Sequence, residues 1–235
     1  MKIGGFEKYS FIDYPGLISS VVFTAGCNFH CPYCHNPELV RPAGENSQAG
    51  SVSDVDILAF LEKRRKYVDG VVITGGEPTL QADLADWCRK IKALGMAVKL
   101  DTNGSFPRVL ASLLGQGLVD YIAMDIKTDP ARYAPYIATD IDPRQIQKSI
   151  EIVKNAGLPH EFRTTCVKPV IDKPAVQVIA ELVRGADLYA LQKPVISGKL
   201  LNPGFFNSHQ RAFSDAELQS FQSILSDSVK QCIIR

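Results

Sequence analysis

A short β-branched run, a turn and an amphipathic helix recur six times along the chain, and that alternation limits the folds open to it. The runs are Ser19–Thr24, Val71–Thr74, Ala97–Leu100, Tyr121–Ile126, Glu161–Val167 and Leu188–Gln192. A helix is expected to about Tyr67 after Ser53-Asp54-Val55-Asp56, which reads as a capping box. Leu80, Leu84, Trp87, Cys88, Ile91 and Leu94 fall at helical spacing and stop at Gly95. Shorter stripes cover Arg108–Leu114 and about Pro174–Arg184. Asp142 and Pro143 open a helix with Ile146, Ile150 and Val153 inward, and Ser214-Asp215-Ala216-Glu217 opens the last. Strands separated by helices pair in parallel through right-handed crossovers. Six units fall short of a closed eight-unit barrel. The expected fold is therefore α/β, a partial (β/α)6 barrel with outer helices, and a flat doubly wound sheet is the alternative. At 235 residues, with no repeat and no linker, one domain over 1–235 is expected, with 193–235 an irregular cover and C-terminal helix.

In either fold, ligands sit at the carboxyl ends of the strands. Polar stretches collect there. Cys27-Asn28-Phe29-His30-Cys31-Pro32-Tyr33-Cys34 follows the first strand and Gly75-Gly76-Glu77-Pro78 the second. Asp101-Thr102-Asn103-Gly104 follows the third and Asp125-Ile126-Lys127 the fourth. The chain starts without a secretory signal, so a reducing, cytoplasmic setting is expected and a cysteine cluster there points to metal or redox chemistry rather than disulfides. Three thiols leave a tetrahedral site one ligand short. Either His30 or His35 completes a Cys₃His zinc site, or an iron–sulfur cluster leaves one iron open to a small molecule. Cys88, Cys166 and Cys232 stand far apart and read as buried small hydrophobes. Lys+Arg 26 against Asp+Glu 25 provides no field for nucleic acid or an anionic membrane.

The spacing C-x₃-C-x₂-C with an aromatic before the third Cys, followed by Gly75-Gly76-Glu77-Pro78, resembles the radical S-adenosylmethionine (SAM) superfamily. More narrowly, Ser10-Phe11-Ile12-Asp13-Tyr14-Pro15-Gly16, Cys31-Pro32-Tyr33-Cys34-His35-Asn36-Pro37, Thr74-Gly75-Gly76-Glu77-Pro78-Thr79-Leu80, Leu100-Asp101-Thr102-Asn103-Gly104 and Met124-Asp125-Ile126-Lys127 resemble glycyl-radical-enzyme activases of the anaerobic ribonucleotide reductase type. The resemblance runs from about residue 5 to residue 195. Pyruvate formate-lyase activases read Asp-Gly-Pro-Gly where this chain has Asp13-Tyr14-Pro15-Gly16, which pulls away from that branch.

That resemblance implies a [4Fe–4S] cluster on Cys27, Cys31 and Cys34, which are catalytic through it, with SAM on the fourth iron. Reductive cleavage of SAM then yields the radical that takes a hydrogen atom from a glycine of the partner enzyme. The loop backbone at Tyr33, Cys34 and His35 is implied to touch the adenine, Gly75 and Gly76 to let the backbone approach the methionine moiety, and Glu77 to accept from its ammonium. Asp101, Thr102 and Asp125 are implied to hold a monovalent cation near the SAM carboxylate. Asp125 and Lys127 share one strand face, and Lys127 is expected to meet the carboxylate or ribose. Arg163 and Gln192 are further groups that reach SAM or, for Arg163, pair with Glu161 or Asp125. Lys63-Arg64-Arg65-Lys66 reads as a solvated helix end. Pro194–Phe213, with Gly198, Pro203, Gly204, Phe205 and Phe206, reads as a barrel floor or a partner surface. A low-potential electron donor is a further partner. The rivals are an activase of the pyruvate formate-lyase type, a radical SAM enzyme on a small molecule, and a non-catalytic zinc or iron–sulfur module.

Overall fold

The computed structural model of the protein describes residues 1–40, 53–134, 136–138, 140–196, 199–206 and 211–235. The chain folds as two compact units. One comprises Met1–Asn28, Asn36–Thr102 and Arg108–Ile122, and the other Phe29–His35, Asn103–Pro107 and Ala123–Arg235. The fold is α/β. Its strands are β1 (Ile3–Ser10), β2 (Ser19–Thr24), β3 (Gly70–Gly75), β4 (Ala97–Thr102), β5 (Tyr121–Asp125), β6 (His160–Thr165), β7 (Leu188–Gln192) and β8 (Gln231–Ile234). Within the first unit β1 to β4 lie side by side in chain order, and within the second β6 to β8 do. The helices are α1 (Pro37–Val40), α2 (Asp54–Arg64), α3 (Leu84–Ala93), α4 (Pro107–Gly115), α5 (Pro143–Lys154), α6 (Lys173–Leu182) and α7 (Asp215–Ser226).

In the first unit β2 pairs in parallel with β3, and β3 with β4; Val22 lies opposite Ile73 and Ile73 opposite Leu100. These strands are buried on both faces, which is why they read as continuous apolar runs rather than alternations. β1 was not expected. It pairs antiparallel with β2 through two register shifts, and its Gly4-Gly5 hides any alternation. Tyr14, from the Asp13-Tyr14-Pro15-Gly16 stretch, is buried with its ring edge-on to Tyr121 at 5.9 Å. Adding a Cβ at Gly70 would bring it within 3.0 Å of that Tyr14 ring. This stretch therefore closes the amino-terminal end of the strands in the unit.

In the second unit β6, β7 and β8 are parallel, with Phe162 opposite Tyr189 and Tyr189 opposite Cys232. β8 is a correction: the chain after 193 carries a strand as well as a cover and a helix. Asp142 caps α5 by accepting from the Arg144 N–H, and Ile146, Ile150 and Val153 are buried beneath it. Ser214 and Glu217 form both bonds of the capping box at α7. Ser53 makes no side-chain cap bond at α2, so the other expected box is absent there. Lys63, Arg65 and Lys66 are exposed, as a solvated helix end requires. Cys88 and Cys166 are fully buried and Cys232 is half-buried. Burial pushes the Cys88 and Cys166 thiols up to about 12. No helix among the described residues is long and apolar enough to cross a membrane.

Candidate functional site

In the first unit the end of β3 lies against the chain entering the cysteine loop. The Gly76 N–H donates to Thr24 O at 2.8 Å, the Glu77 N–H to Gly26 O at 2.8 Å, and the Gly26 N–H to Leu39 O at 2.7 Å. Gly75 has φ +114°, and a Cβ there would lie 2.3 Å from Thr24 N; at Gly76 it would lie 2.1 Å from Gly26 O. Both residues are glycine because backbone packs on backbone here. On the side where a Cβ would stand, the chain itself fills the space. Gly76→Ala is expected to force these segments apart and cost roughly 1–3 kcal/mol. A melting curve followed by circular dichroism reads this, and an unchanged Tm would contradict it.

Glu77 is 1% exposed. Its carboxylate accepts from the Thr79 N–H at 3.1 Å, from the Thr79 hydroxyl, and from the Thr102 hydroxyl at 2.7 Å. The Gly-Gly-Glu-Pro turn is thus tied to the end of β4. Asp101, one residue earlier on β4, pairs with Lys99. Lys99 is 2% exposed and was passed over in the sequence. Cys27, where the loop begins, is half-buried.

The second unit holds the rest of the loop. The His30 N–H donates to Ile137 O at 2.8 Å, and the Phe29 ring stands edge-on to Tyr133. The Cys34 N–H closes a turn onto Cys31 O at 3.0 Å. The Leu201 N–H donates to Cys34 O and the Asn202 N–H to Pro32 O, while Phe205 packs beside Tyr33. The described segment at Leu201, Asn202 and Phe205 therefore covers the cysteine loop; Gly198, expected within the same stretch, lies outside the described residues. His35 is exposed. These backbone bonds leave the Tyr33-Cys34-His35 segment fixed from one side.

Cys31 is buried, and burial pushes its thiol up to about 11 although Lys127 pulls the other way. A thiol held this way becomes a ligand only when positive charge stabilises the thiolate. Lys127 pairs with Asp125 at 2.9 Å and Arg163 Nε donates to Asp125 at 2.7 Å. Burial alone would raise the Asp125 carboxyl, but Arg163 and Lys127 together hold it well below the usual carboxylate range. Burial would lower Lys127, yet Asp125 and Cys31 hold its ammonium above its ordinary value. Arg163 also lies 3.8 Å from Glu161, which is 2% exposed and meets Arg235 at 2.8 Å. Arg163 is thus engaged by carboxylates on two sides. The Gln192 carbonyl accepts from the Cys166 N–H.

A model of the radical SAM superfamily matches residues 21–182. The chain belongs to this superfamily. A Methanocaldococcus jannaschii protein named as a glycyl-radical enzyme activating enzyme is 36% identical over 197 residues, covering 81% of this chain and 79% of that protein. That match places the chain among the activating enzymes of the superfamily. The pyruvate formate-lyase-activating enzyme of Clostridium pasteurianum is 28% identical over 190 residues, 78% of this chain and 76% of that one. Among solved structures, Streptococcus suis SuiB bound to its precursor peptide SuiA superposes with TM-score 0.67 at 14% identity. That match covers 91% of this chain and 48% of SuiB, and shows a shared fold.

Radical SAM enzymes use a [4Fe–4S] cluster and SAM, and one feature of this chain fits the cluster. The Tyr33 hydroxyl is buried beside the Cys31 sulfur, its main electrostatic and hydrogen-bonding neighbour. A phenol so placed suits a sulfur ligand carrying charge. Among the described residues, no three His, Cys, Asp or Glu side chains gather closely enough to hold a single metal ion. A cluster asks less of its ligands, because each thiolate holds a different iron. The expected monovalent cation fits poorly: Asp101 is matched by Lys99, Asp125 by Lys127 and Arg163, and the Thr102 hydroxyl donates to Glu77.

Proposed function

We propose that this enzyme is an activase that installs a glycyl radical on a partner enzyme, and that the partner is an anaerobic ribonucleotide reductase. The observation that carries the reading is the likeness to an activating enzyme over 81% of this chain. In this reading Cys27, Cys31 and Cys34 hold the cluster. Glu77 accepts from the SAM ammonium, Lys127 faces the carboxylate or ribose, and the Tyr33-Cys34-His35 backbone meets the adenine. Gly75 and Gly76 keep the β3 end close to the loop, so that Glu77 and Cys27 are held by one piece of backbone. Bound together, the cluster and SAM supply a one-electron cleavage of the sulfonium carbon–sulfur bond and abstraction of a hydrogen atom from glycine. The chain's own part is to orient these groups and exclude water. Asp125, held ionised, fixes the Lys127 ammonium; the covering segment at Leu201 and Asn202 fixes the loop carbonyls. A reduced low-potential protein provides the electron, and no nucleic acid or membrane takes part.

The test is anaerobic. The reconstituted protein, reduced with dithionite, is expected to release 5′-deoxyadenosine. With SAM and an anaerobic reductase it is expected to give a glycyl EPR doublet, and none with a formate-lyase-type partner. A doublet with the formate-lyase-type enzyme alone would move the assignment to that branch. SAM cleavage with no doublet on either would point to a small-molecule substrate. Stoichiometric zinc without SAM cleavage would sink the enzyme reading.

A further inference from the structure

Lys99 is a charged side chain that the proposed reaction does not use. It lies on β4 opposite Val72 of β3 and is 2% exposed. An ammonium withdrawn from water is strongly disfavoured and persists only where it is well matched. Its match is Asp101, which lies two residues on and so points to the same side of the strand. The Tyr121 ring lies 5.8 Å from Lys99 Nζ and adds a cation–π contact. Asp101 is one of the carboxylates that the family resemblance offers to a monovalent metal cation. Na⁺ or K⁺ and a lysine ammonium carry the same charge and seek the same oxygens. The ammonium is tethered two residues away, so no concentration of free ion sets its occupancy.

The other carboxylate leads to the same conclusion. Asp125 carries two cations of its own, Lys127 and Arg163. A further cation would add positive charge to a carboxylate already outnumbered, and its attraction there would be small. The Thr102 hydroxyl meanwhile directs its proton at Glu77.

We propose that the Lys99 ammonium takes the place of a monovalent metal cation at Asp101, so that this enzyme binds and uses SAM without Na⁺ or K⁺. Lys99 is a positioning residue: it neutralises and aims Asp101 and does not itself meet the reacting atoms. The inference rests on the radical SAM reading for the role of Asp101, but its test does not depend on activity.

Reconstituted protein is exchanged into tetramethylammonium chloride, a cation too large for a carboxylate-lined site, and compared in KCl and NaCl at one ionic strength. SAM affinity is read by equilibrium dialysis, and the melting temperature of the cluster-free chain is read in the same three salts. The wild type is expected to hold its SAM affinity within about twofold across the salts, and its Tm unchanged. Lys99→Met, which keeps the length and removes the charge, is expected to lose about tenfold in SAM affinity in tetramethylammonium and to regain it saturably with K⁺ or Na⁺. A wild-type affinity or Tm that depends on K⁺ or Na⁺ would overturn the proposal. So would a folded Lys99→Met variant that binds SAM equally in all three salts. If Lys99→Met does not fold, the wild-type comparison decides. Failure to bind SAM in every salt would count against the activase reading, and the melting comparison would still decide the role of Lys99.

Discussion

Cys31→Ala is expected to reduce the iron held after anaerobic reconstitution from about four per chain to near background, because two thiols do not hold a [4Fe–4S] cluster. Release of 5′-deoxyadenosine should fall to background with it. The fold should survive. Cys31 is buried, and trimming a thiol to a methyl leaves only a small cavity, costing about 1 kcal/mol. The Cys34 N–H to Cys31 O turn and the Leu201 and Asn202 bonds to the loop are made by backbone and do not need the sulfur. Iron assay, product chromatography and circular dichroism on one preparation separate the two effects. Cys166→Ala is the control: that thiol is also buried, but it follows β6 and serves packing, so iron and product should match the wild type. Undiminished product from Cys31→Ala would refute its place as a ligand. Equal loss in both variants would mean that any buried thiol is needed for folding.

The six parallel-type strands were legible because apolar β-branched runs flanked by glycine and polar turns leave little choice. Ser19–Thr24 and Leu188–Gln192 occupy the residues expected for them. β1 and β8 were not legible for different reasons. β1 contains a glycine pair and two register shifts, so its alternation is broken, and β8 has four residues whose strand character comes from pairing with β7. Long-range backbone bonds were equally hidden. Nothing in Leu201 or Asn202 announces that their amides cap the carbonyls of Cys34 and Pro32. Gly75 and Gly76 were legible as positions that need a small residue, but sequence does not show that Thr24 and Gly26 lie against them. Lys99 is different, since a signal for it was available. Lys99 and Asp101 are two residues apart on one strand run, as Asp125 and Lys127 are, and so share a face in the same way. A lysine inside an otherwise apolar strand run is improbable as core unless a carboxylate shares its face.

Asp125→Asn is expected to have the largest effect on stability among the charged residues of the second unit. The carboxylate stands between Lys127 at 2.9 Å and Arg163 at 2.7 Å, and both cations are mostly buried. The amide keeps the shape and removes the charge, so two like charges that already repel are left facing a neutral group. Breaking such a pair by removing one partner costs about 2–4 kcal/mol after allowance for the part of Asp125 that meets solvent. In a chain of this length that lowers Tm by roughly 2–4 °C per kcal/mol. The pH dependence should change as well. The folded carboxyl titrates below its unfolded value of about 3.9, so its contribution is complete above that pH and is lost as the pH falls toward the folded value. The wild type should therefore lose stability between about pH 5 and pH 2 more steeply than Asp125→Asn. Lys127→Met in the Asp125→Asn background removes one of the two repelling cations and should recover part of the lost stability. A double-mutant cycle on Tm and urea midpoint measures that coupling. If the two substitutions add without coupling, Lys127 owes its position to something other than Asp125, and the ammonium beside Cys31 would need a different support.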